Sequence, residues 1–265
     1  ANQIIRFELE ETGDNTSTFA GSIEYTMVNQ LNIYQATTYT SLRTIDDEPT
    51  FVVIEDLTDE DSPRVNYLDL GADGVSTQIA DQQAAPSHSG IVSFDKASYK
   101  TADTVIITVQ DLDLNVDTDL IEIYTTVSTP TADVSYDSVG KSALPTLSWG
   151  DLGTLLDVTF DDQRWKTPAA SACLTALGTI DTGLGDTGFT LVESGSATGI
   201  FVGDFQIPSQ WCRTTSGTLS TAPETATGLD IEVNYVDFRD ASGEIIEVGD
   251  SAGVRANTGS VSLDR

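Results

Sequence analysis

The chain has 265 residues, enough to bury one or two sizeable cores, and it carries 42 acidic residues against 12 Lys and Arg, a net charge of −30. So acidic a surface excludes nucleic acid and anionic lipid as partners, because both require basic patches, and it gathers metal cations instead. No apolar run approaches the roughly 18 residues of a spanning helix, so no membrane span is expected in this chain.

In chain order, Ile5, Phe7 and Leu9 alternate with Arg6, Glu8 and Glu10, the period of a half-buried strand. A turn at Thr12-Gly13-Asp14-Asn15 leads to a second strand bearing Phe19, Gly21 and Ile23. Phe51–Ile54 and Val65–Leu70 read as further strands, separated by the acidic loop Asp56–Pro63. His88 falls in a Pro/Ser-rich linker, APSHSG, where a lone histidine is expected to face solvent. Past the linker, Phe94–Val109 holds a strand, a turn at Tyr99–Asp103 and a long strand from Thr104. Leu120–Val127 is the next strand. The alternation sets Val105, Ile107 and Val109 inward on the first of these two, and Ile121, Ile123 and Val127 inward on the second. Leu155–Phe160 and Trp165 give a strand and a core anchor, while GLGDTG at Gly183–Gly188 reads as a turn-rich stretch. Short strands, frequent turns and no apolar period of 3.6 define an all-β chain, read as tandem immunoglobulin-like antiparallel β-sandwich domains.

Three blocks recur in the same order. LEETGDNTSTFAGSI at Leu9–Ile23 matches LVESGSATGIFVGDF at Leu191–Phe205, sharing Glu11/Glu193, Gly13/Gly195, Thr16/Thr198, Phe19/Phe201 and Gly21/Gly203. Val65-Asn66-Tyr67-Leu68-Asp69 matches Val233-Asn234-Tyr235-Val236-Asp237, and GSVSLDR at Gly259–Arg265 matches GIVSFDK at Gly90–Lys96. Repeats this long indicate tandem domains and not a solenoid. Residues 89–258 are expected to form one complete unit, with 1–88 the second half of a preceding unit and 259–265 the first strand of a following one.

The segment between the two central strands carries the chemistry. Asp111, Asp113, Asn115, Asp117, Asp119 and Glu122 stand at positions 1, 3, 5, 7, 9 and 12, the ligand spacing of an EF-hand calcium loop. Continuing the inward parity of Val105, Ile107 and Val109 would drive the loop's acids into the core, at a cost that unpaired carboxylates do not sustain. The segment is therefore expected to leave the sheet or to wrap Ca2+. It departs from an EF-hand at Val116, where Gly is usual, and in having strands for flanks. Weaker acidic clusters are Asp237, Asp240 and Glu244, and Asp56, Asp59, Glu60 and Asp61.

Cys173 and Cys212 fit no metal-ligand spacing, which leaves a disulfide or two buried thiols. Asn15-Thr16-Ser17 is an N-glycosylation sequon. The sequence contains no nucleophile elbow, phosphate loop or zinc set, and Trp149, Trp165 and Trp211 read as core anchors in preference to a sugar platform, so no enzyme is expected.

Taken together, VSFDKASYKTADTVIITVQDLDLNVD, VESGSATGIFVGDF and IEVNYVDFRDASGE resemble the repeated immunoglobulin-like domains of surface-layer (S-layer) proteins from ammonia-oxidising archaea. The resemblance implies an extracellular, cell-surface structural protein that self-assembles with identical subunits into a porous two-dimensional lattice. It also implies Ca2+ at Asp111, Asp113, Asn115, Asp117 and Asp119. The pattern departs at Ala102-Asp103, where Gly-Asp is expected. A filament subunit or adhesin of similar domains is the alternative.

Overall fold

The computed structural model describes residues 6–27, 45–46, 50–53, 55–126, 155–168, 172–173, 183–215, 218–220, 222–256, 259 and 261–263. The first part of the chain forms short pairs from β1 (Arg6–Phe7), β2 (Glu10–Glu11), β3 (Phe19–Ala20), β4 (Glu24–Met27), β5 (Ile45–Asp46) and β6 (Thr50–Val53), followed by the longer hairpin of β7 (Arg64–Leu70) and β8 (Ser76–Gln82). Beyond the linker come β9 (Ile91–Phe94), β10 (Ser98–Tyr99), β11 (Thr104–Gln110), β12 (Ile123–Thr125), β13 (Leu156–Phe160), β14 (Arg164–Lys166), β15 (Thr190–Glu193) and β16 (Ile200–Gln206). The series ends with β17 (Gln210–Thr215), β18 (Thr218–Leu219), β19 (Glu224–Thr225), β20 (Asp230–Asp237) and β21 (Ile246–Val254). The single α-helical turn among the described residues, Gly183–Thr187, lies in the stretch read as turn-rich.

The chain is all-β. Two sheets dominate it, an antiparallel sheet in the order β12-β15-β16-β11-β9 and a sheet in the order β10-β21-β20-β13. Alternation buries one face of each: Val105, Ile107 and Val109 from β11 and Phe201 and Phe205 from β16 meet Ile231, Val233 and Tyr235 from β20 and Val158 and Phe160 from β13 in one continuous core. Sheets that share one apolar layer in this way have a sandwich-like architecture. At one end of that core Phe160 packs edge-on to Trp165, ring centroids 5.1 Å apart, and against Trp211 at 5.4 Å. Both tryptophans are buried; Trp149 lies outside the described residues. A smaller sheet, β14-β17-β18 with β19 beside β17, carries Trp211 and Cys212. Cys212 is disulfide-bonded to Cys173, 39 positions earlier, with Cα atoms 5.6 Å apart. In the chain-entropy account, closing a loop of that length contributes about 4 kcal/mol.

Two strand assignments need correction. Ile121 and Ile123 are exposed, and the inward residues on that segment are Glu122 and Tyr124. The alternation was read one register out, because Val116 and Asp117 hold Glu122 inside by their backbone N–H groups, at 3.1 and 2.8 Å. Val127 lies outside the described residues. Furthermore, β10 and β21 pair in parallel, so the second sheet is not wholly antiparallel.

The turn between β10 and β11 accounts for the Gly-Asp expectation. Ala102 has φ +69°, a left-handed conformation that disfavours a Cβ, and it is held there by Ala102 N–H to Ile207 O at 2.9 Å and Asp103 N–H to Lys100 O at 3.0 Å. Glycine relieves the strain but loses more entropy on folding, so Ala102→Gly is expected to stabilise the fold by about 0.5–1 kcal/mol. Thermal unfolding should show a rise in Tm of about 1–4 °C.

Candidate metal centre

The structure divides the acidic loop between two places. Asp111 and Asp113 do follow the inward parity of β11 and are buried. Their carboxylates are satisfied by the protein. Asp111 caps the 3-10 turn Leu112–Leu114, accepting from Asp113 N–H at 2.8 Å through Oδ1, while its Oδ2 accepts from the Tyr235 hydroxyl on the opposite sheet. Asp113 accepts from His88 N–H at 2.9 Å, and its Oδ1 pairs with His88 Nδ1 at 2.8 Å. His88, read as an exposed linker residue, is thereby drawn half under the loop. Asp237 belongs to the same cluster, accepting from Gly90 N–H at 2.8 Å and Arg239 N–H at 3.0 Å. Asp56 from the earlier acidic loop approaches too, accepting from Ser87 N–H at 3.2 Å.

The electrostatics match this crowding. Burial, with the Asp237 and Asp113 charges added, pushes Asp111 up to about 7 against the pull of the Tyr235 hydrogen bond. Burial raises Asp237 to about 6 and raises Asp113 as well, with Asp56 adding to the latter and His88 opposing it. Desolvation is thus met here by hydrogen bonds and retained protons.

The other half of the loop is different. Glu122 Oε1 takes the N–H groups of Val116 and Asp117, and Glu193 Oε1 takes those of Thr198 and Gly199 at 2.8 and 2.9 Å, with the Thr198 hydroxyl at 3.1 Å. The two carboxyl groups contact each other. Burial and that contact push Glu122 up to about 7. Burial also pushes Glu193 upward, but its hydrogen bonds from Glu122, Gly199 and Thr198 hold it below the ordinary carboxylate range. Beyond that mutual contact Glu122 Oε2 and Glu193 Oε2 find no donor, and Asn115 Oδ1, on the residue preceding Val116, is a further buried acceptor without a hydrogen-bond partner. Three orphaned hard oxygens are costly when left bare, and they are the ligand type that Ca2+ takes. Ca2+ held between Glu122 and Glu193 would neutralise the facing carboxylates and tie the loop to the β15–β16 turn. Asp117 instead caps Asp119 N–H at 2.9 Å, and Asp119 is exposed.

Among the described residues no three His, Cys, Asp or Glu side chains gather as a metal-binding group. The orphaned set consists of two carboxylates and an amide. Asp240 is engaged in its own turn, with Oδ1 accepting from Ser242 N–H at 2.8 Å and Glu244 N–H at 3.0 Å, and Asp59, Glu60 and Asp61 form an exposed 3-10 turn. Asn15 of the sequon is exposed at φ +58°.

Glu193 is the residue that loop spacing missed, and its signal was the repeat. Glu11 makes the same turn: its Oε1 accepts Ser17 N–H at 2.8 Å as Glu193 accepts Gly199 N–H at 2.9 Å. Thr16 and Thr198 hydroxyls both donate to the carbonyl three residues back, at 3.2 and 3.0 Å, and the φ values of Asn15 and Ser17, +58° and +56°, match +58° and +59° at Ala197 and Gly199.

Compared with known protein families and with curated proteins, the chain matches none. No helix among the described residues is long and apolar enough to cross a membrane.

The acid cluster fixes the sign of the pH dependence. Asp111, Asp237 and Glu122 are raised in the folded state, as are Asp157 and Glu232, the first three to about 7, 6 and 7, respectively. Groups raised on folding hold more protons in the native state between their unfolded and folded values, so their stabilisation is complete below about pH 4 and lost as pH rises through about 7. In chelator, the Tm measured at pH 5 should exceed that at pH 8. Calcium should reduce the gap by replacing protons at pH 8.

Proposed function

We propose that this chain is a segment of a structural cell-surface protein, an S-layer subunit of tandem immunoglobulin-like domains that assembles with identical subunits into a calcium-dependent porous lattice. Residues 89–258 are one unit of the tandem, and 1–88 supply the later strands of a preceding one. The observation that carries the reading is the facing pair of buried carboxylates Glu122 and Glu193, where the loop with calcium-ligand spacing meets the recurring Glu turn. A cation there stiffens the end of the sandwich by joining the β11–β12 loop to the β15–β16 turn, and the net charge of −30 supplies cations to it and repels neighbours until they are screened. The Cys173–Cys212 disulfide suits an oxidising, extracellular setting.

Binding at extracellular strength, a Kd of about 10⁻⁴ M, would stabilise the fold by about 2.7 kcal/mol at a hundredfold excess of Ca2+. Glu193→Gln is expected to remove most of the calcium-induced rise in Tm while leaving the metal-free fold intact. An unchanged rise would move the site elsewhere.

At the level of assembly, electron microscopy in millimolar calcium should reveal ordered sheets that disperse in EGTA. Fibres or dispersed molecules in both conditions would overturn the lattice in favour of a filament or adhesin.

A further inference from the structure

A Pro/Ser-rich stretch between two parts of a chain is ordinarily an exposed, flexible connector, and the parts it joins move relative to one another. Residues 85–90, Ala-Pro-Ser-His-Ser-Gly, depart from that expectation, because every one of them is held. From the first part of the chain, Leu57 exchanges backbone bonds with Ala85 at 2.8 and 3.1 Å, the Tyr25 hydroxyl donates to Pro86 O at 3.2 Å, and Asp56 Oδ1 accepts Ser87 N–H at 3.2 Å. From the sandwich, Asp240 O accepts the Ser87 hydroxyl at 2.6 Å and Asp113 Oδ2 accepts His88 N–H at 2.9 Å. Ala241 N–H then donates to Ser89 Oγ at 3.0 Å, and Asp237 Oδ2 accepts Gly90 N–H at 2.8 Å. Ser87, bonded to both parts at once, is 3% exposed, and Ala85 is 2% exposed.

The two parts also touch directly. β4 lies against the 3-10 turn Leu112–Leu114, the Thr26 hydroxyl donates to Val116 O at 3.1 Å, and the Thr118 hydroxyl donates to Glu24 Oε1 at 2.6 Å. The charges that meet here are alike. Asp56 of the first part acts on Asp113 of the sandwich, and Asp113 acts in turn on Asp237, an arrangement that by itself would push the parts from each other. The connecting backbone supplies the remedy: Ser87 N–H is spent on Asp56, and His88 and Gly90 N–H on Asp113 and Asp237, so its donors lie between the acids of the two sides. Pro86, with its fixed φ, removes one further freedom from the same stretch.

We propose that residues 85–90 are a strap that locks the first part of the chain onto the loop end of the sandwich, so that the two turn in solution as one rigid body. The surface it closes fits one occupant, the β4 strand with the Leu57 and Asp56 loop beside it. All of the bonds are made by the protein's own groups, so the joint holds with or without calcium, and the inference stands or falls apart from the calcium and lattice readings.

Backbone 15N relaxation of the whole chain, in millimolar calcium and again in EGTA, tests this through the tumbling of each part. One rotational correlation time is expected for the amides of β7 and β8 and for those of β11, β16 and β20, in both conditions. Asp56→Ala with Ser87→Ala and His88→Ala removes the side-chain half of the strap and should abolish that agreement, the first part tumbling faster than the sandwich. Inserting Gly-Ser-Gly between Pro86 and Ser87 deletes no side chain and should have the same effect, so the test does not depend on the triple variant folding. Unchanged amide shifts in β16 and β20 will verify that the sandwich is intact in each. Separate times in the parent chain overturn the proposal, as does a common time that survives the insertion. A common time present in calcium and lost in EGTA overturns it too, by making a metal the fastener in place of the strap, and that outcome leaves the calcium reading standing.

Discussion

The loop end of the sandwich is governed by the inward parity of β11, which does not stop at its last apolar residue. Val105, Ile107 and Val109 fill the core, and the same geometry then delivers Asp111 and Asp113 into it. A buried carboxylate has three remedies: a donor, a proton or a metal. Asp111 uses the first two, and its donor is Tyr235 from the opposing sheet, so solvating one acid also ties the sheets together. The bond to Asp113 draws in His88, and through Asp237 the cluster reaches Gly90, so the linker is moored at the point where it becomes β9.

The recurring Glu turn separates what the local sequence dictates from what packing dictates. Glu11 and Glu193 close the same turn, each accepting the N–H six residues on, with matching left-handed residues. Yet Glu11 is solvated while Glu193 is buried against Glu122. Leu9 and Phe19, 46% and 59% exposed, differ in the same way from Leu191 and Phe201, both 0%. The turn is thus a self-sufficient module, and its burial is conferred by the strands laid over it.

Much of this was legible in the residues. The alternation in β11 gave its inward face, the repeats gave equivalent strands, and the unusual Ala102 stood out as a residue in a glycine's place. The loop was read in part. Its linear spacing suggested one cradle, but Asp111 and Asp113 turn to Tyr235 and His88 while Glu122 turns to Glu193. Glu122 also defeated the parity argument, since two backbone N–H groups outweigh the preference of Ile121 and Ile123 for the interior. Glu193 and Tyr235 are distant in sequence, and only the pairing of β15 with β12 and the facing of two sheets bring them to the loop.

The parallel pairing of β10 with β21 has a mechanical consequence. Gly90 lies at the Asp237 end of the sheet and Tyr99 beside Val254, so the chain from 90 to 99 runs along β21 in its own direction. Entry and exit therefore sit at opposite ends of a nine-residue strand, about 30 Å apart at the usual rise per residue. Tension applied through the two ends would load the bonds along β21 in shear, many at once, and would not unzip them singly. A fold threaded this way resists stretching along the line that joins those two points.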